Sequence, residues 1–93
     1  MAGKADIVEQ VARQQDDLTK KQVAEIFDAI FDSISVSLAN NERVQIPGFG
    51  SFSVSHREAR EGRNPSTGAA IQIAASTSAR FKQGKDLKER LNA

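Results

Sequence analysis

The sequence predicts an α+β fold: two N-terminal helices, then antiparallel strands that include a long ribbon, then a short closing helix. Three observations carry this. Apolar residues recur at helical spacing through residues 1–42. From Arg43 the period shortens to alternation, as in RVQIPGFGSFSV. A polar stretch, SHREAREGRNPSTGAAIQIAAS, is then framed by alternation on both sides before FKQGKDLKERLNA returns to helical spacing.

Ile7, Val8, Val11 and Ala12 form one stripe of a first helix over roughly residues 4 to 15. LTKKQV starts a second helix. Thr19 is its N-cap, Gln22 the capping-box partner, and Leu18 with Val23 the hydrophobic staple. From Val23 to Leu38 the apolar positions, among them Ile26, Phe27, Ile30, Phe31, Ile34 and Val36, occupy more than one stripe. A helix so apolar is buried on several sides, and in a small chain a second copy is the economical cover. Asn40 and Asn41 end it in the left-handed conformation.

Val44 and Ile46, the turn residues Pro47 to Gly50, and Phe52 with Val54 predict a short hairpin with one buried face. In the following stretch only Ile71 and Ile73 are large and apolar, so most of it stays outside a core. It reads as a two-stranded ribbon running out and back, with Asn64 to Gly68 at the tip. Such a ribbon is marginally stable alone. Phe81 anchors the final segment, and Leu87 and Leu91 are expected to face inward from a short basic helix.

Ninety-three residues suit one small domain and leave a limited core, which favours a partner chain. With no cysteine there is no disulfide framework, thiolate nucleophile or cysteine metal cluster, which fits a reducing compartment. No apolar run approaches the ~18 residues of a membrane span, and the opening MAGKADIVEQ lacks the layout of a signal peptide. A soluble, cytosolic protein is expected. The net charge of +1 conceals an asymmetry. Residues 1–42 hold four basic and eight acidic groups, a net −4, whereas residues 43–93 hold nine basic and four acidic, a net +5. Such a split points to one region for packing and another for an anionic partner.

Enzymatic readings lack components. His56 is the single histidine, and its nearby carboxylates, Glu58 and Glu61, are flanked by arginines. GFGSF lacks the third glycine and following helix of a dinucleotide loop, and GKD lacks the rest of a phosphate loop. No enzyme, cofactor, metal site, small-molecule substrate or membrane partner is expected. The arm reads differently. Arg57, Arg60 and Arg63 are spaced three apart, as on a helix, but Gly62 and the Asn64-Pro65 pair oppose a helix there. Arginines on a thin, twisted ribbon suit the DNA minor groove, where negative potential is concentrated. A proline at the tip presents a rigid apolar ring with no N–H to desolvate, which can unstack a base step and kink a duplex.

GFGSF (48–52), HREAREGRNPSTG (56–68), IQI with AAS (71–76) and FKQGKDLKERLN (81–92) together resemble the bacterial histone-like HU/IHF family of DNA-bending proteins. The resemblance covers essentially the whole chain. It implies an intertwined homodimer with a helical base, a three-stranded antiparallel sheet, and two β-ribbon arms that embrace double-stranded DNA in its minor groove. Residues 1–93 then form a single DNA-binding domain. Its parts are a helical dimerisation half (1–42), a β-hairpin (43–55), the arm (56–76), and the end of the return strand with the C-terminal helix (77–93).

By that resemblance Pro65 matches the intercalating proline, and Arg57, Arg60, Arg63 and Asn64 line the arm. Lys4, the Gly48 backbone, Arg80, Lys82, Lys85 and Lys88 fall at or near positions that meet phosphates. Phe27, Ile30, Phe31, Ile34, Phe49, Phe52 and Phe81 supply the dimer core. Ser53, Ser55, Ala69, Ala70 and Gln72 stand where family arms often carry lysine, and Ala79 and Gln83 where proline is common. Fewer phosphate contacts flatten the salt dependence of binding, so weaker binding than from a lysine-rich relative is expected. The implied function is nucleoid-associated, largely sequence-independent DNA bending with a preference for flexible or distorted duplexes. A sequence-selective architectural factor and a dimeric protein- or membrane-interaction module are the alternatives.

Overall fold

The computed structural model describes residues 2–93. Its elements are α1 (Lys4–Gln14), α2 (Lys20–Ala39), β1 (Val44–Ile46), β2 (Gly50–Arg57), β3 (Arg60–Arg63), β4 (Ala70–Ile73), β5 (Ser76–Gln83) and α3 (Lys85–Leu91). They fall into two compact units, one reaching to Val36 and the other running from Ser37 to Ala93.

In the first unit each helix starts on a local hydrogen bond. The Gly3 amide donates to Asp6 Oδ2 at 2.9 Å, so an acidic side chain closes the first turn of α1. At α2 the capping box forms in both directions. The Gln22 amide donates to Thr19 Oγ1 at 3.1 Å, and the Thr19 amide donates to Gln22 Oε1 at 2.8 Å. Lys4 Nζ lies 2.6 Å from Asp28 Oδ1 and 5.9 Å from the centre of the Phe27 ring, tying the start of α1 to the middle of α2. Phe27 stacks in turn against Phe31, with ring centroids 4.6 Å apart.

Val8 and Val23 are the only buried large apolar side chains among the described residues. Ile30 and Phe31 are 52% and 48% exposed, and Ile26 and Val36 are similarly bare. Of the residues expected in a dimer core, Phe27, Ile34 and Phe52 are half-buried, while Ile30, Phe31, Phe49 and Phe81 are exposed in the single chain. Bare apolar side chains grouped in this way within each unit mark interaction surfaces. No helix among the described residues is long and apolar enough to cross a membrane.

The last residues of α2 belong to the second unit. Asn41 takes φ 63°, the left-handed conformation expected of it, and the Glu42 amide returns to the Ser37 carbonyl at 2.9 Å. A three-stranded antiparallel sheet follows, in the order β1-β2-β5. The β1–β2 turn closes with the Phe49 amide on the Ile46 carbonyl at 3.1 Å and with Gly48 at φ +81°. The register pairs Val44 with Phe52, Phe52 with Phe81, and Val54 with Ala79, so these residues share one face. On that face Phe81 sits between Phe49 and Phe52, at centroid distances of 5.2 and 5.0 Å. Gly50 is what lets the Phe81 ring lie there: a Cβ at Gly50 would stand 2.6 Å from two ring carbons.

The ribbon departs from the sequence expectation in being interrupted. β3 and β4 form a separate two-stranded sheet, because Glu58-Ala59 on one side and Ala74-Ala75 on the other carry no ladder pairing. Its register sets Gly62 opposite Ile71 and Arg60 opposite Ile73. A Cβ at Gly62 would come within 2.7 Å of Ile73 Cδ1, so this glycine makes room for an isoleucine inside the ribbon. Gly62, which in the sequence only opposed a helix, thus has a packing role within the ribbon. Leu91 is a second correction. As the last residue of the seven-residue α3 it is 68% exposed in the single chain, whereas Leu87, one turn earlier, is half-buried as expected.

Candidate nucleic-acid interface

The polar face of the three-stranded sheet is built by the same alternation that builds its apolar face. Register pairs Ser51 with Lys82, Ser53 with Arg80, Ser55 with Ser78, and Arg57 with Ser76. Arg57, Arg80 and Lys82 therefore share one face with a ladder of hydroxyls. Serines stand here where lysines would have raised the charge. At one end of this sheet, a groove of about 300 Å³ gathers the backbone of Gly48 with Lys82, Lys85 and Asp86. Three of the expected phosphate-contacting positions are thus brought together, beside one carboxylate.

Arg43 also lines this groove and was not among the residues singled out in the sequence. Its Nη2 donates to Ser51 Oγ at 3.3 Å across the β1–β2 hairpin. The available signal was its place as the first basic residue of the basic half, directly before a strand. Lys88, on α3, does not line the groove. Lys4 lies in the first unit, where Asp28 already holds its ammonium, so an anion there would compete with that carboxylate. Lys4, Lys20 and Lys21 together rim an open apolar patch over Ala5, Val8 and Ala24.

Along the arm the three arginines separate into two settings. Arg57 and Arg60 line one depression of about 450 Å³ at the interruption of the ribbon, with Glu58, Ile73 and Ala74. Within the two-stranded sheet Arg60 shares a face with Gly62, Ile71 and Ile73, and Arg63 shares the other with Glu61, Ala70 and Gln72. Strand alternation thus puts Arg60 and Arg63 on opposite sides, whereas a helix with arginines three apart would have put them on one face.

The tip is closed by a dense set of local bonds. The Asn64 amide donates to the Ala69 carbonyl at 2.8 Å, and the Gly68 amide to the Asn64 carbonyl at 2.7 Å. The Ser66 amide donates to Asn64 Oδ1 at 2.9 Å, the side-chain turn that Asn favours before a reversal. The Ala69 amide reaches Thr67 Oγ1 at 3.3 Å, and Arg63 Nη1 donates to the Gly68 carbonyl at 3.1 Å. Gly68 takes φ +71°, which an L side chain rarely adopts. Pro65 is exposed on this loop, next to the half-buried Asn64.

These features define a class: a small α+β protein carrying a sheet with a basic face and a proline-tipped β-ribbon. The family model described as bacterial DNA-binding protein matches residues 2–92. The chain belongs to that family, one of DNA-binding proteins and not of enzymes. The DNA-binding protein HU of Streptococcus pyogenes is 52% identical over 89 residues, covering 96% of this chain and 97% of that one. The HU protein of Staphylococcus aureus is 52% identical over 86 residues, covering 92% and 94%. Among solved structures, HU in the Anabaena HU–DNA cocrystal superposes with a TM-score of 0.82 at 34% identity, over 97% of each chain. HU from Thermotoga maritima gives 0.66 at 31% identity, over 97% of this chain and 98% of that one.

Proposed function

We propose that this protein is a homodimeric, nucleoid-associated DNA-bending protein of the cytoplasm that binds double-stranded DNA with little regard to sequence. Lys and Arg on the sheet face, the groove and the arms meet phosphates and release counterions. The two arms lie in the minor groove, and one Pro65 from each subunit wedges into a base step and stabilises a bend. Because bending costs less where the duplex is already deformable, nicked, gapped or mismatched DNA is preferred.

The observation that carries this reading is the tip: an exposed proline held on a closed, hydrogen-bonded loop at the end of an arginine-bearing ribbon. Dimerisation is supported by the bare Ile26, Ile30, Phe31 and Val36, since burying each such side chain is worth about 1.5–3 kcal/mol. The relatives named HU, and the DNA-bound Anabaena neighbour, support the choice of DNA as partner.

Fluorescence transfer across end-labelled intact and gapped duplexes tests it. The wild type is expected to bind as two chains per short duplex and to bend both, the gapped one more tightly. Pro65→Ala is expected to reduce the bend and the gapped-over-intact preference while the fold, followed by circular dichroism, stays unchanged. An unaltered bend and preference in that variant would sink the wedge mechanism.

A further inference from the structure

Arg57, Arg60 and Arg63 look equivalent in sequence, but the structure treats one of them differently. Arg57 and Arg60 make no side-chain hydrogen bond or ion pair among the described residues, and are free to meet a polyanion. Arg63 instead turns back along the ribbon and donates from Nη1 to the Gly68 carbonyl at 3.1 Å. That carbonyl belongs to the residue with φ +71°, whose amide closes the loop on the Asn64 carbonyl at 2.7 Å. The guanidinium thereby ties the last residue of β3, paired in register with Ala70, to the far end of the loop, two positions before Ala70. Pro65 lies two residues beyond Arg63 on this braced loop.

We infer that Arg63 is a positioning residue: its guanidinium fixes the loop from Asn64 to Gly68 so that the Pro65 ring is presented in one orientation before DNA arrives. This rests on the reading of Pro65 as a wedge. A wedge must be stiff to unstack bases, and a two-stranded ribbon outside a core has little stiffness of its own. A planar fork can hold a carbonyl in a fixed direction and still turn its remaining N–H groups outward. Lysine at the same position keeps the charge but loses the fork.

The test is Arg63→Lys beside Arg60→Lys, each read three ways. In the DNA-free protein, amide hydrogen exchange at Asn64 and Gly68 is expected to quicken by about three- to tenfold in R63K and to stay within twofold in R60K. On DNA, R63K is expected to lower the gapped-over-intact preference by about fivefold. The slope of log K against log[salt] should hold, because the charge is retained. If exchange is unchanged in R63K, the brace does not exist in solution and the inference falls, even where binding weakens. If exchange quickens but preference and bend stay at the wild-type values, the brace does not serve the wedge and the inference also falls. A wild type that neither bends DNA nor prefers gapped duplex would overturn the wedge itself. The exchange comparison, made without DNA, would then separate that failure from a missing brace.

Discussion

Gly50→Ala should destabilise the second unit by an amount its surroundings set. A Cβ built at Gly50 lies 2.5 Å from the Lys82 carbonyl oxygen and 2.6 Å from Cε1 and Cζ of Phe81, whereas ordinary contact begins at about 3.4 Å. In a strand the added methyl favours folding by about 0.5–1 kcal/mol, because glycine loses more backbone freedom. Overpacking a closed site costs about 1–3 kcal/mol. The upper end applies, because the carbonyl is part of the β2–β5 ladder beside the Gly50–Gln83 pair and cannot move away as a side-chain end can. The net loss is about 2 kcal/mol. If the proposed dimer unfolds as one unit, at about 2–4 °C per kcal/mol, Tm should fall by about 4–8 °C at fixed protein concentration. Phe81→Leu in the same background removes the ring contacts and leaves the carbonyl contact, so the double variant should be less destabilised than the sum of the singles, by about 1 kcal/mol. A Tm for Gly50→Ala within 1 °C of wild type, or strict additivity, would refute this account of why a glycine stands there.

Other expectations rest on single contacts. Gly62→Ala should loosen the arm, since the new methyl meets Ile73 Cδ1 at 2.7 Å. Trypsin should then cut after the arm arginines roughly two- to fivefold faster, and Ile73→Val, which removes that methyl, should restore the wild-type rate. Arg80→Gln and Lys82→Gln should each flatten the slope of log K for DNA against log[salt] by about 0.9 per subunit, about 1.8 for the proposed homodimer, whereas Arg13→Gln, which removes a group held by Glu9 at 2.8 Å, should leave it unchanged. Thr19→Ala should cost about 1 kcal/mol in denaturant unfolding by stripping the acceptor for the Gln22 amide, and Thr19→Ser should cost little.

The residues legible in sequence were those whose partners lie within a few positions or follow a fixed period. The Thr19–Gln22 capping box and the left-handed Asn41 are set by neighbours in the chain. Alternation placed Phe52 with Val54 on one face of a strand, and the same rule separates Arg60 from Arg63 across the ribbon; that Phe81 joins Phe52 took the register. What escaped depends on contacts across the chain. The ribbon's interruption needs Glu58-Ala59 and Ala74-Ala75 to fall opposite each other, which only the register reveals. Arg43 joined the groove because the hairpin brought Ser51 beside it. Leu91 failed to turn inward because helical spacing says where a side chain points, but not whether the neighbouring element extends far enough to cover it.

The sequence by itself determined the order of helices and strands, the basic second half and the proline-tipped arm, because periodicity, capping and charge are properties of neighbouring residues. Tertiary structure decided which glycines are obligatory and which arginine is committed. Gly50 and Gly62 are defined by atoms of Phe81, Lys82 and Ile73 that approach from the partner strand. Arg63 differs from Arg57 and Arg60 only because the chain reverses and brings the Gly68 carbonyl within reach of its guanidinium. Close approach is a matter of distance in space, and spacing along the chain does not record it.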